Sequence, residues 1–226
     1  MSSCVVAISR QFGSGGARVG RDVARRLGLQ YADREILAEA ARVLNVETDD
    51  VAPLEECVRG FWERLGAMFA QGAVDTAFTP PPLPSVSESE LFSAEREIIE
   101  KLAAHGGAVI VGRGAAHILS GRPNVIRVFL HAPLSMRIAL AIEEYGFTDH
   151  EEAAAVVRYS DAQRARFVRS LTGHNWCDAT LYDLALNTAS IGLDMAVDRI
   201  IDLVQSPAAT TLSAPTPRTA EDGYAP

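Results

Sequence analysis

The chain has 226 residues, of which 48% are hydrophobic and 22% are charged, a composition typical of a globular protein with one main domain. Its formal net charge of −8 argues against general binding to nucleic acid or to anionic lipid, because lysine and arginine provide most of that binding. No apolar stretch reaches the ~20 residues of a membrane helix, and the short apolar run before Arg10 has no basic segment in front of it, so we expect a soluble, cytoplasmic protein without a signal peptide.

The first third of the chain predicts a strand, a glycine turn and a series of helices. A β-branched apolar run at 4–9 predicts the strand, and apolar residues at i, i+4 and i+8 predict a helix over 19–27 that a glycine ends. An aspartate can cap a second helix over 33–44, and 49–68 has a further helical pattern. The proline-rich segment 79–85 interrupts regular structure.

The middle of the chain repeats the order of helix, strand and glycine turn. Ser87 or Ser89 can cap a helix that runs to Lys101, and an apolar strand over 108–111 leads into Gly112-Arg113-Gly114. A second buried strand follows at 125–130.

The last third predicts helices around one more strand. Pro133 opens a helix at its favoured first position, and an arginine-rich helix covers about 151–171. A strand over 182–187 and an amphipathic helix over 193–204 complete the folded part, and 206–226 is predicted to be disordered. Because strands alternate with helices, the sequence predicts an α/β fold with a parallel sheet covered by helices on both faces.

Cysteine and lysine usage narrows the possible chemistry. Cys4, Cys57 and Cys177 are far apart and lack C-x-x-C spacing, so we predict neither a disulfide framework nor a zinc site. The five histidines also lack metal-ligand spacing. Among 21 basic residues, Lys101 is the only lysine, so an anion site must use arginines and main-chain amides. The planar guanidinium suits bidentate contacts with phosphate oxygens.

The turn at Gly13 to Gly16 lies where the first strand passes into a helix, a position at which amides can converge on an anion. It departs from the Walker A pattern G-x-x-x-x-G-K-[ST]: Gly15 matches the second glycine, but Arg10 replaces the first glycine, Gly16 the lysine and Ala17 the hydroxyl residue. The dinucleotide pattern G-x-G-x-x-G fails too, because Arg18 stands at its third glycine. A tight turn without a ligand is the alternative.

If the turn binds phosphate, a cation must replace the missing lysine. Arg18, in the first helical turn, is the nearest candidate, and Arg10 and Arg21 are weaker ones. The Ser14 hydroxyl can supply a ligand for magnesium. The predicted cofactor-binding set is Gly13, Ser14, Gly15, Gly16, Ala17 and Arg18, and Arg18 is also a predicted catalytic residue.

Five stretches occur in a characteristic order: ISRQFGSGGARVGRDVARRLGLQYADREIL, VGRGAAHIL, VFLHAPLSMR, SDAQRARF and NWCDATLYDLALNTASIG. Together, from about Val5 to Val204, they resemble the cytidylate kinase-like family of P-loop kinases. A lysine-free G-S-G-G turn is usual in this branch. The resemblance implies a P-loop, nucleoside monophosphate kinase-like domain over 1–205, with a helical acceptor-side insert at about 45–90 and a helical lid at 133–170.

The resemblance also implies roles for particular residues. Asp33 and Arg34 resemble an acidic and basic pair near the acceptor nucleotide, and Arg113 resembles the arginine that binds the acceptor phosphate. Arg137 resembles a lid arginine. The set Arg158, Asp161 and Arg164 resembles the rest of the lid, with arginines in catalysis and Asp161 at the substrate, although i, i+3 salt bridges on one helix are the alternative.

The implied activity is ATP-dependent and Mg²⁺-dependent phosphoryl transfer to a nucleoside monophosphate, most simply CMP or dCMP. Two alternatives stay open: a catalytically weak nucleotide-binding or regulatory protein of the same fold, and a kinase for another small molecule. The missing lysine, and the lack of a Walker B acid after 108–111, favour the first alternative. The sequence does not predict an oligomeric state.

Overall fold

The computed structural model describes residues 4–33 and 88–206. In these ranges, five strands form one parallel sheet in the order β2-β3-β1-β4-β5. The strands are β1 Val5–Arg10, β2 Gln30–Ala32, β3 Ala108–Val111, β4 Val125–His131 and β5 Leu184–Asn187. The helices are α1 Gly16–Leu27, α2 Glu88–His105, α3 Ala115–Ile118, α4 Leu134–Tyr145, α5 His150–Thr172, α6 Thr188–Ile191 and α7 Leu193–Gln205.

The predicted parallel sheet with flanking helices is confirmed. Its central strand, β1, pairs with β3 on one side, where Ile8 is opposite Val111, and with β4 on the other, where Arg10 is opposite Leu130. This register brings the carboxyl ends of β1, β3 and β4 together at one edge of the sheet. In open α/β sheets, ligands bind at that edge.

The core explains why helices cover both faces of the sheet. Val6 and Ile8 of β1 are buried in a cluster with apolar residues of α1 and α7, among them Val23 and Ile200. The alternate residues of β1, such as Ala7, are also buried, and they face the side on which α3 contacts β1 and β4. A strand buried on both faces is apolar throughout, as β1 is.

Local signals explain the boundaries of α1 and α7. Gly28 adopts the left-handed conformation, with φ of 64°, and its amide donates to carbonyl groups of the last turn of α1. Gly192 precedes α7, whose buried residues recur at helical spacing along one face. Both helices agree with their predicted positions.

Some elements differ from the prediction. The three-residue strand β2 and the four-residue helices α3 and α6 are too short to produce a periodic sequence signal. Pro133 is the residue before α4 rather than its first residue, and β5 begins at Leu184, two residues later than expected. The tail from 207 onward, the proline-rich segment and the helices predicted over 34–68 lie outside the described residues.

The chain divides into two compact units, one formed by Met1–Ala32 with Leu102–Pro226 and the other by Asp33–Lys101. The boundary falls within α2. In the second unit the structure describes Asp33 and the first part of α2, where Ile98 and Ile99 are buried. None of the helices in the described ranges is long and apolar enough to cross a membrane.

Candidate active site

The glycine loop joins β1 to α1 at the carboxyl edge of the sheet. The Gln11 amide donates to the Leu130 carbonyl at 3.0 Å, which holds the start of the loop against β4. Gly13 and Gly15 both have φ of 74°, a conformation that favours glycine. A Cβ on Gly13 would overlap the Arg137 carbonyl, and one on Gly15 would overlap the Leu193 side chain, so the loop is closely packed on both sides.

The loop presents main-chain donors at its far end. Val19 is the first residue of α1 whose amide donates to a loop carbonyl, that of Gly15 at 3.0 Å. The preceding amides of Gly16, Ala17 and Arg18 make no hydrogen bond within the described part of the chain. These amides, at the positive end of the helix dipole, form an arrangement that binds anions.

Ser14 has a structural position inside the loop. Its side chain is fully buried, and its Oγ atom lies 2.8 Å from the Gln11 carbonyl and 3.3 Å from the Leu130 carbonyl. A hydroxyl has one proton, so it donates to one of these carbonyls at a time. This geometry ties the hydroxyl to main-chain carbonyls of the loop and of β4, and its role as a magnesium ligand stays a prediction.

Arg10, the last residue of β1, extends across the edge between the glycine loop and the turn after β3. A Cβ on Gly16 would lie 2.6 Å from the Arg10 Cγ, and a Cβ on Gly112 would overlap the Arg10 Nη1. The aliphatic part of Arg10 therefore packs on Gly16, and its guanidinium lies over Gly112. Sequence reasoning ranked this arginine below Arg18.

The turn Gly112-Arg113-Gly114 follows β3 and has three consecutive positive φ angles, of 86°, 49° and 69°. A positive φ is uncommon for an arginine and marks a constrained turn. Arg113 is half-buried, and its Nε atom is buried. Helix α5 packs on this turn, because a Cβ on Gly114 would lie 3.3 Å from Phe167 and 3.2 Å from Leu171.

A buried ion pair joins α4 to α5, and both of its side chains also bind the backbone of the glycine loop. The Arg137 Nη1 lies 2.5 Å from the Asp161 Oδ2, with exposed side-chain fractions of 8% and 17%. Arg137 also donates from Nε to the Ala132 carbonyl at 2.9 Å and from Nη1 to the Phe12 carbonyl at 3.2 Å. Asp161 accepts the Phe12 amide at 2.8 Å. The loop backbone at Phe12 is therefore held on both its donor and its acceptor side.

The hairpin has its own small apolar core, and Phe12 takes part in it. The buried residues of that core are Ile138, Ala141, Ala153, Ala154 and Val157, and Phe12 packs against them. The Arg164 guanidinium lies over the Phe12 ring, 5.5 Å from its centroid, and Arg164 Nη1 lies 3.3 Å from the Asp161 Oδ1. The phenyl ring thus lies between the hairpin core and a cation.

These features agree with a sequence comparison. A profile of the cytidylate kinase-like family matches residues 5–190. This chain belongs to the cytidylate kinase-like family. The parallel sheet, the glycine loop after β1 and the helical hairpin are consistent with the P-loop kinase fold expected from the motifs.

One solved structure supports the fold of this family member, and two kinases are more distantly similar. An uncharacterized protein from Eubacterium ventriosum is 22% identical with a TM-score of 0.66, covering 90% of this chain and 99% of that chain. A shikimate kinase from Bacteroides thetaiotaomicron is 14% identical, with a TM-score of 0.48 and coverages of 90% and 99%. A gluconokinase from Sinorhizobium meliloti is 13% identical, with a TM-score of 0.42 and coverages of 88% and 96%.

In this cytidylate kinase-like chain, the predicted lid residues have different environments. Asp161 and Arg164 form the i, i+3 salt bridge considered as the alternative, and Asp161 also holds Arg137 and the loop. Arg158 is exposed on α5 and makes no ion pair or hydrogen bond with the described residues. Of these four residues, Arg158 is the most exposed, and substrate contacts by any of them stay predictions.

The other predicted residues are placed as follows. Arg18 is on the surface, and its Nη2 lies 3.6 Å from the Asp194 Oδ1 of α7. Asp33 follows β2 and is half-buried, whereas Arg34 lies outside the described residues. Sequence reasoning missed Gln11 and Phe12, because their roles come from contacts with β4 and α5 rather than from a motif.

An aromatic cluster lies beside the site, on the face of the sheet that α3 covers. Tyr182 stacks on Phe129 with ring centroids 5.0 Å apart and donates its hydroxyl proton to the Trp176 carbonyl at 2.6 Å. The His117 Nε2 lies 3.1 Å from the Tyr182 hydroxyl oxygen, and it is the donor because the phenol proton is already used. Burial raises the pKa of Tyr182 to about 12 and, with nearby His174 and Arg127, lowers the pKa of His117.

The described residues offer no preformed metal site. They contain no group of three or more His, Cys, Asp or Glu side chains that could hold a metal ion. The donor set of the loop, amides and arginine, fits phosphate oxygens rather than a cation. Of the cysteines, Cys4 is buried and Cys177 is exposed, both as free thiols, and Cys57 lies outside the described ranges.

Proposed function

We propose that this protein is an ATP-dependent kinase that phosphorylates a nucleoside monophosphate, CMP or dCMP. The main support is the glycine loop, whose first-turn amides and neighbouring arginines at the carboxyl edge of the sheet are groups suited to an anion. Family membership supports kinase chemistry, and the choice of cytosine nucleotides rests on the family resemblance.

The proposed reaction moves the γ-phosphoryl group of ATP to a phosphate oxygen of the acceptor, giving ADP and a nucleoside diphosphate. Negative charge spreads over the transferring group, so catalysis consists of positioning and electrostatic stabilisation. In the proposal, the loop from Gly13 to Arg18 holds the phosphates of ATP, and Arg113 binds the acceptor phosphate. No covalent nucleophile is needed.

The α4–α5 hairpin is the proposed lid. Arg158 is exposed on α5, and Arg164 lies over Phe12 of the loop, which supports a role for these two arginines in the lid. A closed lid excludes water, which prevents ATP hydrolysis. Arg137 and Asp161 hold the hairpin against the loop in this arrangement.

Magnesium enters the proposal as the counter-ion of ATP, and it would neutralise charge on the phosphates. The buried Ser14 hydroxyl does not support the predicted role as its ligand. Among the described residues, no protein ligand is assigned to Mg²⁺.

The second candidate is a nucleotide-binding or regulatory protein with weak transfer. The observation that favours it is the glycine at position 16, where the Walker A pattern has lysine.

One experiment separates the two candidates. We expect Mg-ATP with a panel of nucleoside monophosphates to release ADP fastest with CMP or dCMP. ATP that raises the melting temperature, without any acceptor-dependent ADP release, would instead indicate the binding protein. Faster release with a different small molecule would contradict the choice of acceptor.

The acceptor site has a matched pair of variants. Arg113→Met should raise the KM for the acceptor about 10-fold to 100-fold, because a hydrogen bond to a charged group is lost. The exposed Arg122→Met serves as control and should leave the KM unchanged. An unchanged KM in Arg113→Met would contradict its assignment.

A further inference from the structure

Two of the three positions at which the glycine loop differs from the Walker A pattern are close in space. The pattern places glycine where this chain has Arg10, and lysine where this chain has Gly16. This chain thus has one cation and one glycine at these two positions, as the Walker A pattern does, but in the opposite order.

The structure shows why the two differences belong together. The three atoms nearest to a Cβ built on Gly16 are Cγ, Cβ and Cδ of Arg10, at 2.6, 2.9 and 3.4 Å. Any side chain at position 16 would therefore occupy the space that the Arg10 stem fills. The Arg10 stem can therefore lie in this position only because residue 16 is glycine.

The far end of Arg10 requires a second glycine. A Cβ on Gly112 would overlap Nη1 of the guanidinium, and Gly112 has φ of 86°. The charge of Arg10 thereby lies at the carboxyl ends of β1 and β3, between the glycine loop and the turn that contains Arg113. At that edge, the first amides of α1 make no hydrogen bond within the described residues.

The position of Arg18 is less suited to binding phosphate than the position of Arg10. Its side chain is 57% exposed and reaches toward Asp194 at the start of α7. A guanidinium held between two glycine turns is more constrained than one on the surface, and it can contact two phosphate oxygens at once.

We propose that Arg10 is the phosphate-binding cation of this loop, with the cation and the glycine of the Walker A pattern exchanged between positions 10 and 16. The proposal rests on the proposed function, since it assigns to Arg10 a contact with the phosphates of ATP.

The first test removes the charge and keeps the stem. Arg10→Met is compared with wild type and with Arg25→Met, an exposed arginine of α1 that pairs with Asp22. Calorimetric titration with Mg-ATP should show affinity about 10-fold to 100-fold weaker for Arg10→Met and unchanged for Arg25→Met. Adenosine, which has no phosphate, should bind both variants as it binds wild type, a result that a merely structural role would not give.

The second test restores the usual order. Arg10→Gly should weaken ATP binding as Arg10→Met does, and Gly16→Lys alone should weaken it because the new side chain displaces Arg10. The double variant Arg10→Gly/Gly16→Lys should bind ATP at least about tenfold more tightly than Arg10→Gly, a strong coupling between neighbouring sites. Should the double variant not fold, Arg10→Met alone decides.

The outcomes separate this proposal from the kinase proposal. Arg10-dependent ATP binding without acceptor-dependent ADP release would support the cation assignment and contradict the kinase. ATP affinity that is unchanged in Arg10→Met, or lost only in Arg18→Ala, would overturn the assignment and leave the kinase standing. A wild-type protein that does not bind ATP would overturn both.

Discussion

Two arginine–aspartate pairs flank the glycine loop, and they differ in almost every physical respect. Arg137 and Asp161 are 2.5 Å apart, with 8% and 17% of their side chains exposed. Arg18 and Asp194 are 3.6 Å apart, with 57% and 89% exposed. The sequence favoured a catalytic role for both arginines. The comparison teaches that sequence motifs indicate which residues lie near a site. Burial and partners decide whether each residue stabilises the fold or is available to a ligand.

The largest effect is expected at the buried pair. Arg137→Met should lower the free energy of unfolding by about 3–5 kcal/mol, because it leaves Asp161 charged and partly buried without its main partner. Urea unfolding followed by circular dichroism measures this loss. The exposed Arg158→Met on α5 is the control and should change stability by less than about 0.5 kcal/mol.

A second variant decides whether that loss comes from the pair. Arg137→Met combined with Asp161→Asn should destabilise by less than the sum of the two single changes, since the uncompensated charge is gone. Strict additivity would show that the pair is not the cause.

A buried hydrogen bond between neutral groups tests how much burial contributes to stability when no charge is involved. Tyr182→Phe removes the hydroxyl that donates to the Trp176 carbonyl at 2.6 Å and leaves a buried carbonyl without that donor. We expect a loss of about 1–3 kcal/mol in the free energy of unfolding, smaller than for Arg137→Met. ATP affinity measured on the folded variant should equal that of wild type. A loss as large as that of Arg137→Met would show that charge is not what distinguishes the buried pair.

The histidine beside Tyr182 adds a pH dependence to the buried region. The pKa of His117 is lowered by burial first, then by His174 and Arg127, so the folded state binds its proton less readily than the unfolded state. The neutral ring therefore contributes its full stability above the usual histidine pKa of about 6.5, and that contribution is lost as pH falls toward the lower folded value.

His117→Gln should reduce this dependence. We expect its melting temperature to fall less than that of wild type between pH 7.5 and pH 5. The exposed His150→Gln should behave like wild type. If the melting temperature of His117→Gln falls as much as that of wild type, other groups cause the pH dependence.

The smallest effect is expected at the surface pair. Arg18→Ala and Asp194→Ala should each change the free energy of unfolding by less than about 0.5 kcal/mol, because solvent and salt screen an exposed pair. Thermal unfolding at low and high salt would show this. A loss comparable to that of Arg137→Met would remove the distinction between the two pairs.

The sequence predicted those parts of the fold whose information is local. The apolar run of β1, the spacing of Val19 and Val23, and the stop at Gly28 define one strand and one helix without reference to the rest of the chain. The three-residue β2 was not predicted, because its pairing with β3 depends on a distant partner. Local information was also enough to locate both glycine turns.

The contacts that shape the site were less predictable. The amide of Phe12 binds Asp161, which lies 149 positions further along the chain, and no spacing rule connects two such residues. The position of Arg10 across Gly16 and Gly112 likewise depends on the alignment of β1 with β3. Motifs indicated which residues gather at the edge of the sheet, and tertiary packing set their partners.

The contact between Gly15 and Leu193 has a consequence for the order of folding during synthesis. The glycine loop is synthesised well before Leu193, which packs over Gly15 and opens the last helix of the described chain. A nascent chain that ends before α7 lacks this cover, so the loop can complete its packing only after α7 has been synthesised. Competence to bind a nucleotide would then report that synthesis has passed α7.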